Sequence, residues 1–122
     1  MAGLYIHIPF CRRKCPYCDF YSIEACSAEL QNYAVLLIRH LEWTAGEGLW
    51  QRPFDTIYFG GGTPSLLSPQ SIGAILQAIS RHYSLTSDIE ISLEANPGTV
   101  TVDSLTGYRS AGINRLSLGL QT

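Results

Sequence analysis

Three cysteines near the start of the chain are the residues best suited to chemistry. Cys11, Cys15 and Cys18 lie close together, and Cys26 is the only other cysteine among the 122 residues. Cysteine thiolates are the usual ligands of iron–sulfur clusters, and three of them would bind a cube of four irons with one iron left open. The spacing therefore predicts an iron–sulfur site in the loop formed by residues 9–20.

Zinc is the alternative interpretation of the same cysteines. Closed zinc sites take four ligands, and no second Cys-x-x-Cys pair is present, but His7 or Cys26 could complete the set. Three ordinary buried cysteines are a further alternative. The basic residues 12–14, Arg-Arg-Lys, stand between the cysteines and argue against burial.

Two more polar features stand where predicted strands end. Gly60-Gly61-Gly62 lacks Cβ atoms, so a ligand could approach its main chain closely, although an ordinary tight turn is the alternative. The spacing fits neither the dinucleotide-binding nor the Walker pattern. Glu94 could bind the ammonium or a hydroxyl group of a ligand, or be a solvated acid at a strand end.

The elements that must position these residues alternate regularly. Residues 4–8, 56–60, 89–94 and 115–120 read as strands. Helix patterns cover about 27–44, begin again at Ser68-Pro69, and run from near Thr101 to Gly112. The order β-α-β-α-β-α-β predicts an α/β fold with a parallel sheet and right-handed crossovers.

Each predicted strand alternates apolar and polar residues, which indicates that only one face of the sheet meets the helices. The opposite face carries Tyr5, His7, Glu94 and Gln121. This pattern favours parallel β/α repeats forming part of a barrel with a polar ligand in its lumen, and a doubly wound sheet is the alternative. The fourth strand would have an open edge, so we expect residues 1–122 to be the N-terminal portion of a longer domain.

Composition excludes several classes of protein. The chain is 46% hydrophobic and 15% charged, and its net charge is −2, so it carries no basic surface suited to nucleic acid or an anionic membrane. No apolar run is long enough to span a membrane, and the first residues do not resemble a signal peptide. We therefore expect a cytoplasmic protein.

Five motifs in order resemble the radical SAM family. They are Tyr-Ile-His-Ile-Pro-Phe-Cys at residues 5–11, the Cys11/Cys15/Cys18 spacing, Gly-Gly-Gly-Thr-Pro at 60–64, Glu-Ala-Asn-Pro at 94–97, and Gly-Ile-Asn-Arg-Leu-Ser-Leu-Gly-Leu-Gln at 112–121. The resemblance covers residues 4–122 and implies a partial TIM-like barrel. It also implies a [4Fe–4S] cluster on the three cysteines, with S-adenosylmethionine (SAM) bound to the open iron and cleaved reductively to methionine and a 5′-deoxyadenosyl radical.

The same resemblance implies roles for individual residues. By their positions in the family's motifs, Tyr5, Gly61 and Glu94 would contact this SAM. Four others would face a second SAM site, namely Tyr17, Gly62, Thr63 and Gln121.

Within the family, the chain resembles the branch that contains oxygen-independent coproporphyrinogen III dehydrogenases and heme chaperones of the HemW type. The dehydrogenases carry a further cysteine two residues after the third cluster cysteine, where this chain has Phe20. The resemblance therefore implies a HemW-like chaperone that binds heme and passes it to respiratory proteins. The alternative is the dehydrogenase, which oxidatively decarboxylates coproporphyrinogen III, and a non-redox zinc-binding module is a third hypothesis.

Overall fold

The computed structural model describes residues 2–9, 27–48 and 52–118. Strands are β1 (Gly3–Ile8), β2 (Phe54–Gly61), β3 (Leu85–Ala95) and β4 (Arg115–Leu118), and α-helices are α1 (Ser27–Gly46), α2 (Pro69–His82) and α3 (Val102–Ala111). Short 3₁₀ turns at Pro64–Leu66 and Pro97–Thr99 follow β2 and β3. Within these ranges no helix is both long and apolar enough to cross a membrane.

The four described strands form one parallel sheet in the order β1-β2-β3-β4. Each new strand joins the edge left by its predecessor, so the order never reverses as it does in a doubly wound sheet. The predicted α/β fold of parallel β/α repeats is therefore confirmed, and the doubly wound alternative is wrong.

The core lies on one face of this sheet. Ile6 pairs with Phe59, Phe59 with Leu93, and Leu93 with Leu116, so these side chains share a face. The strands and helices together bury an apolar cluster that includes Ile8, Ile57, Phe59, Leu93, Ile72, Ile75, Ile79 and Tyr108. The opposite face carries the polar residues, as the alternation predicts, and it is where a ligand can be bound.

Helix ends coincide with the residues that the sequence marks. The Ser68 hydroxyl accepts a 3.1 Å hydrogen bond from the Ser71 amide, and Pro69 opens α2. Thr101 and Ser104 form a reciprocal capping box at the start of α3. Gly112 ends α3 with a φ of 127°, a conformation that favours glycine.

The third strand begins at Leu85, four residues earlier than the sequence pattern predicts. Residues 85–88 lie outside the predicted strand, but Leu85 pairs with Phe54 across a register shift between β2 and β3. The Phe54 amide donates a 2.9 Å hydrogen bond to the Ser84 carbonyl oxygen. Pairing with β2 thus overrides the local preference of these residues.

Candidate functional site

The carboxyl ends of the described strands meet at one rim of the sheet, which is where parallel α/β proteins bind ligands. At this rim, Ile8 pairs with Gly61. The next amide, that of Gly62, donates a 2.8 Å hydrogen bond to the Ile8 carbonyl oxygen. The end of β1, from which the cysteine loop departs, is therefore fixed against the glycine segment.

Glu94 lies at the centre of the rim, and both of its carboxylate oxygens are bound. The Gly61 amide donates to Oε1 over 3.0 Å, and the Tyr58 hydroxyl donates to Oε2 over 2.9 Å. A carboxylate has about four acceptor positions, so roughly two remain for a ligand. Since Glu94 is only half-buried, these positions are accessible.

A cavity of about 210 Å³ opens beside this carboxylate. Its lining consists of Gly61, Gly62, Thr63, Pro64, Glu94, Ala95, Asn96 and Ser117. Gly61 and Gly62 are exposed, so the floor of the cavity is main chain, while Thr63 is buried and its carbonyl oxygen accepts a 3.0 Å hydrogen bond from the Leu66 amide. The structure thus brings together four of the residues predicted from the sequence: Gly61, Gly62, Thr63 and Glu94.

Gly61 has a structural reason to be glycine that the sequence does not reveal. Its φ is 116°, and a Cβ there would lie 2.7 Å from the Ile8 carbonyl oxygen and 2.8 Å from the His7 ring. Main-chain geometry alone therefore excludes a side chain. The tight-turn interpretation accounts for this glycine, and a ligand contact at Gly61 stays a prediction.

Tyr5 lies next to the cavity rather than in its lining. Its ring stacks on Tyr58 with 6.0 Å between ring centroids and 16° between ring planes, and it is 56% exposed. The Tyr5 hydroxyl lies 3.4 Å from His7 Nδ1. A Cβ at Gly60 would lie within 2.9 Å of both tyrosine rings, so this glycine makes room for the pair.

Sequence analysis missed Tyr58 and Ser117. A hydrogen bond with Ser117 lowers the pKa of Tyr58, but the hydrogen bond to Glu94, burial and the Glu94 charge outweigh it and raise the pKa above its usual value of 10.0. The phenol is therefore a protonated donor at neutral pH. Strand alternation alone could have placed Tyr58 on the same face as Gly60, since the two residues are two positions apart in the strand.

Several predicted site residues lie outside the described residues. They are Cys11, Cys15, Cys18, Tyr17 and Gln121, together with Cys26 and Phe20. In the described part of the chain no three His, Cys, Asp or Glu side chains are grouped to hold a metal ion. Cys11, Cys15 and Cys18 stay the predicted ligands of the cluster.

Comparison with known proteins identifies the class to which this fold and rim belong. Residues 5–122 match the model of the radical SAM superfamily, and the chain belongs to that superfamily. Membership implies a [4Fe–4S] cluster and SAM as cofactors.

Individual relatives are more specific. The chain is 45% identical to the heme chaperone HemW of Haemophilus influenzae and 44% identical to that of Escherichia coli K12, over 98% of this chain and 32% of each relative. It is 38% identical to a mitochondrial radical SAM domain-containing protein 1 of Bos taurus, over 99% of this chain and 27% of the relative.

One solved structure has the same fold. It is described as that of the coproporphyrinogen III oxidase HemN of Escherichia coli, a radical SAM enzyme, with a TM-score of 0.82 and 30% identity over 98% of this chain and 28% of that one. The chain thus spans about a third of the length of its curated relatives. That residues 1–122 are the N-terminal portion of such a domain stays a prediction.

Proposed function

We propose that the protein is a HemW-like heme chaperone built on a radical SAM core. The observation that carries this proposal is the 44–45% identity to HemW proteins over 98% of the chain, which includes the whole described rim. Heme would be the cargo, passed on to respiratory proteins, and the chaperone itself would be cytoplasmic.

In this proposal Cys11, Cys15 and Cys18 hold the [4Fe–4S] cluster. When both are bound, the cluster and SAM would together provide the chemistry of reductive cleavage at the SAM sulfonium. The residues of the rim fit SAM because Glu94 offers acceptor positions for an ammonium or hydroxyl group beside the open main chain of Gly61 and Gly62.

The chain's own residues would bind and orient the cofactor. Glu94, held from two sides, would accept hydrogen bonds from SAM, and Tyr5 would cover it from β1. Four residues would face a second SAM, namely Tyr17, Gly62, Thr63 and Gln121.

The second candidate is an oxygen-independent coproporphyrinogen III dehydrogenase, which the similarity to the HemN structure favours. Phe20 speaks against it because the dehydrogenases have a cysteine at this position. The two candidates share the cluster and SAM and differ in what happens to the porphyrin.

The deciding experiment uses the full-length protein, reconstituted anaerobically and incubated with coproporphyrinogen III, SAM and a strong reductant. We expect that no divinyl product forms and that the protein of the same preparation retains heme stoichiometrically. Formation of the divinyl product would establish the dehydrogenase instead.

Two variants test the cluster in the same preparation. Cys15→Ala should abolish the broad visible absorbance of the cluster, whereas Cys26→Ala, outside the triad, should retain it. A colourless protein that binds one tetrahedral zinc ion would contradict both candidates and support the zinc-binding module.

A further inference from the structure

We propose that Tyr58 is a positioning residue of the ligand site, which acts through Glu94 to strengthen SAM binding. Its hydroxyl would hold the carboxylate so that the free acceptor positions face the cavity. This inference rests on the proposed function, in which Glu94 contacts SAM.

The geometry around Glu94 supports such a role. Tyr58 pairs with Ser92, and Glu94 pairs with Ser117, so the tyrosine on β2 and the carboxylate on β3 are diagonal neighbours on the polar face. Diagonal neighbours are within reach of long side chains. The 2.9 Å bond from Tyr58 to Oε2 and the 3.0 Å bond from Gly61 to Oε1 approach the carboxylate from separate residues of β2.

A further contact holds the Tyr58 ring. This ring stacks on that of Tyr5 on β1, with 6.0 Å between the ring centroids. Tyr58 thereby connects side chains of β1, β2 and β3, and Ser117 on β4 lines the same cavity as Glu94.

A held carboxylate should bind better than a free one for an entropic reason. A glutamate side chain has several rotatable bonds, and fixing them on binding costs free energy. The hydrogen bond from Tyr58 fixes them before the ligand arrives. The ring stack and the hydroxyl can be separated, because Tyr58→Phe keeps the ring and removes only the donor.

The test is SAM binding, measured anaerobically by equilibrium dialysis on the full-length protein with a verified cluster. We expect Tyr58→Phe to weaken SAM affinity roughly three- to tenfold, which lies in the lower part of the range of coupling between contacting side chains. The cluster absorbance should be unchanged. Tyr83→Phe is the matched control, because its hydroxyl donates to the Leu41 carbonyl oxygen away from the rim, and it should bind SAM normally.

A double-mutant cycle tells positioning from general destabilisation. If Tyr58 acts through Glu94, Tyr58→Phe should have no further effect once Glu94→Gln is present. Unchanged affinity in Tyr58→Phe, or effects of the two changes that simply multiply, would overturn the inference. If the unsubstituted, cluster-loaded protein bound no SAM, the proposed function would fail, and this inference with it.

Discussion

The hydroxyl of Tyr33 donates a 2.6 Å hydrogen bond to the carbonyl oxygen of His7, and so ties the early part of α1 to the end of β1. Burial of this phenol raises its pKa, so it is protonated at neutral pH. The segment that contains the cysteines connects these two elements, so this bond restrains both ends of the predicted cluster loop.

Removing this hydrogen bond should weaken retention of the cluster. We expect Tyr33→Phe to lower the free energy of unfolding by about 1 kcal/mol, the usual contribution of one hydrogen bond. The cluster absorbance should also decay faster in the presence of an iron chelator. Tyr83→Phe removes a comparable bond, to the Leu41 carbonyl oxygen, and should cost similar stability without faster cluster loss. Equal decay rates in the two variants would contradict the role of Tyr33.

Glu94 should strengthen SAM binding without affecting cluster binding. A hydrogen bond to a charged group contributes about 1.5–3 kcal/mol, so Glu94→Ala should weaken SAM binding by roughly tenfold or more. Isothermal titration of the cluster-loaded protein measures this. Glu90→Ala is the control, because Glu90 lies on the same face but away from the rim, in a half-exposed ion pair 3.6 Å from Arg115. Equal SAM affinities in the two variants would show that Glu94 does not contact the ligand.

Gly61 should be required for folding as well as for binding. Gly61→Ala places a Cβ 2.7 Å from the Ile8 carbonyl oxygen in a residue with φ of 116°, so we expect a loss of about 2 kcal/mol or more. Gly46→Ala, at the end of α1 with open space around it, should be neutral or slightly stabilising. Urea unfolding without SAM compares them. Normal stability of Gly61→Ala with impaired binding would instead favour ligand clearance as the reason for the glycine.

Tyr108 should make stability depend on pH in the alkaline range. Its buried hydroxyl shares its one hydrogen between the carbonyl oxygens of Ser65 and Leu67, behind the cavity, and burial raises the pKa of Tyr108 to about 12. Below pH 10 the Tyr108 phenol keeps its proton in both the folded and the unfolded state. Between about pH 10 and 12 only the unfolded phenol loses it, so stability should fall by about 2 kcal/mol.

The variant Tyr108→Phe isolates this effect. It should be less stable at neutral pH, because the hydrogen bond that the hydroxyl shares between two carbonyl oxygens is lost, but the alkaline fall in stability should become shallower. Urea midpoints at several pH values between 9 and 12 give both slopes. Identical slopes with and without the phenol would mean that other groups cause the loss.

The sequence predicted the sheet well because strand alternation and helix caps are local signals. Ser68, Thr101 and Gly112 mark helix ends through their own backbone and side-chain chemistry. The face of Glu94 likewise followed from its position in an alternating run.

Other features depend on neighbouring strands and could not be read from one segment. The Tyr58–Glu94 bond requires the register between β2 and β3, which no single strand pattern contains. The early start of β3 at Leu85 has the same origin, since Phe54 on β2 supplies the partner. The cysteine loop falls outside the described residues, so its geometry stays a prediction.

The consecutive strand order also has a consequence for how the site assembles. Pairing between β1 and β2 closes a separation of 53 residues, as between Gly3 and Thr56, whereas pairing between β3 and β4 closes only 23, as between Ser92 and Arg115. Longer loops cost more entropy to close, here by roughly 0.7 kcal/mol. Strand pairing should therefore begin between β3 and β4, and β1 should join the sheet last. Glu94 and Tyr58 would then be in place before β1, the strand that leads into the cysteines, docks on the sheet. Metal loading would therefore come late in folding.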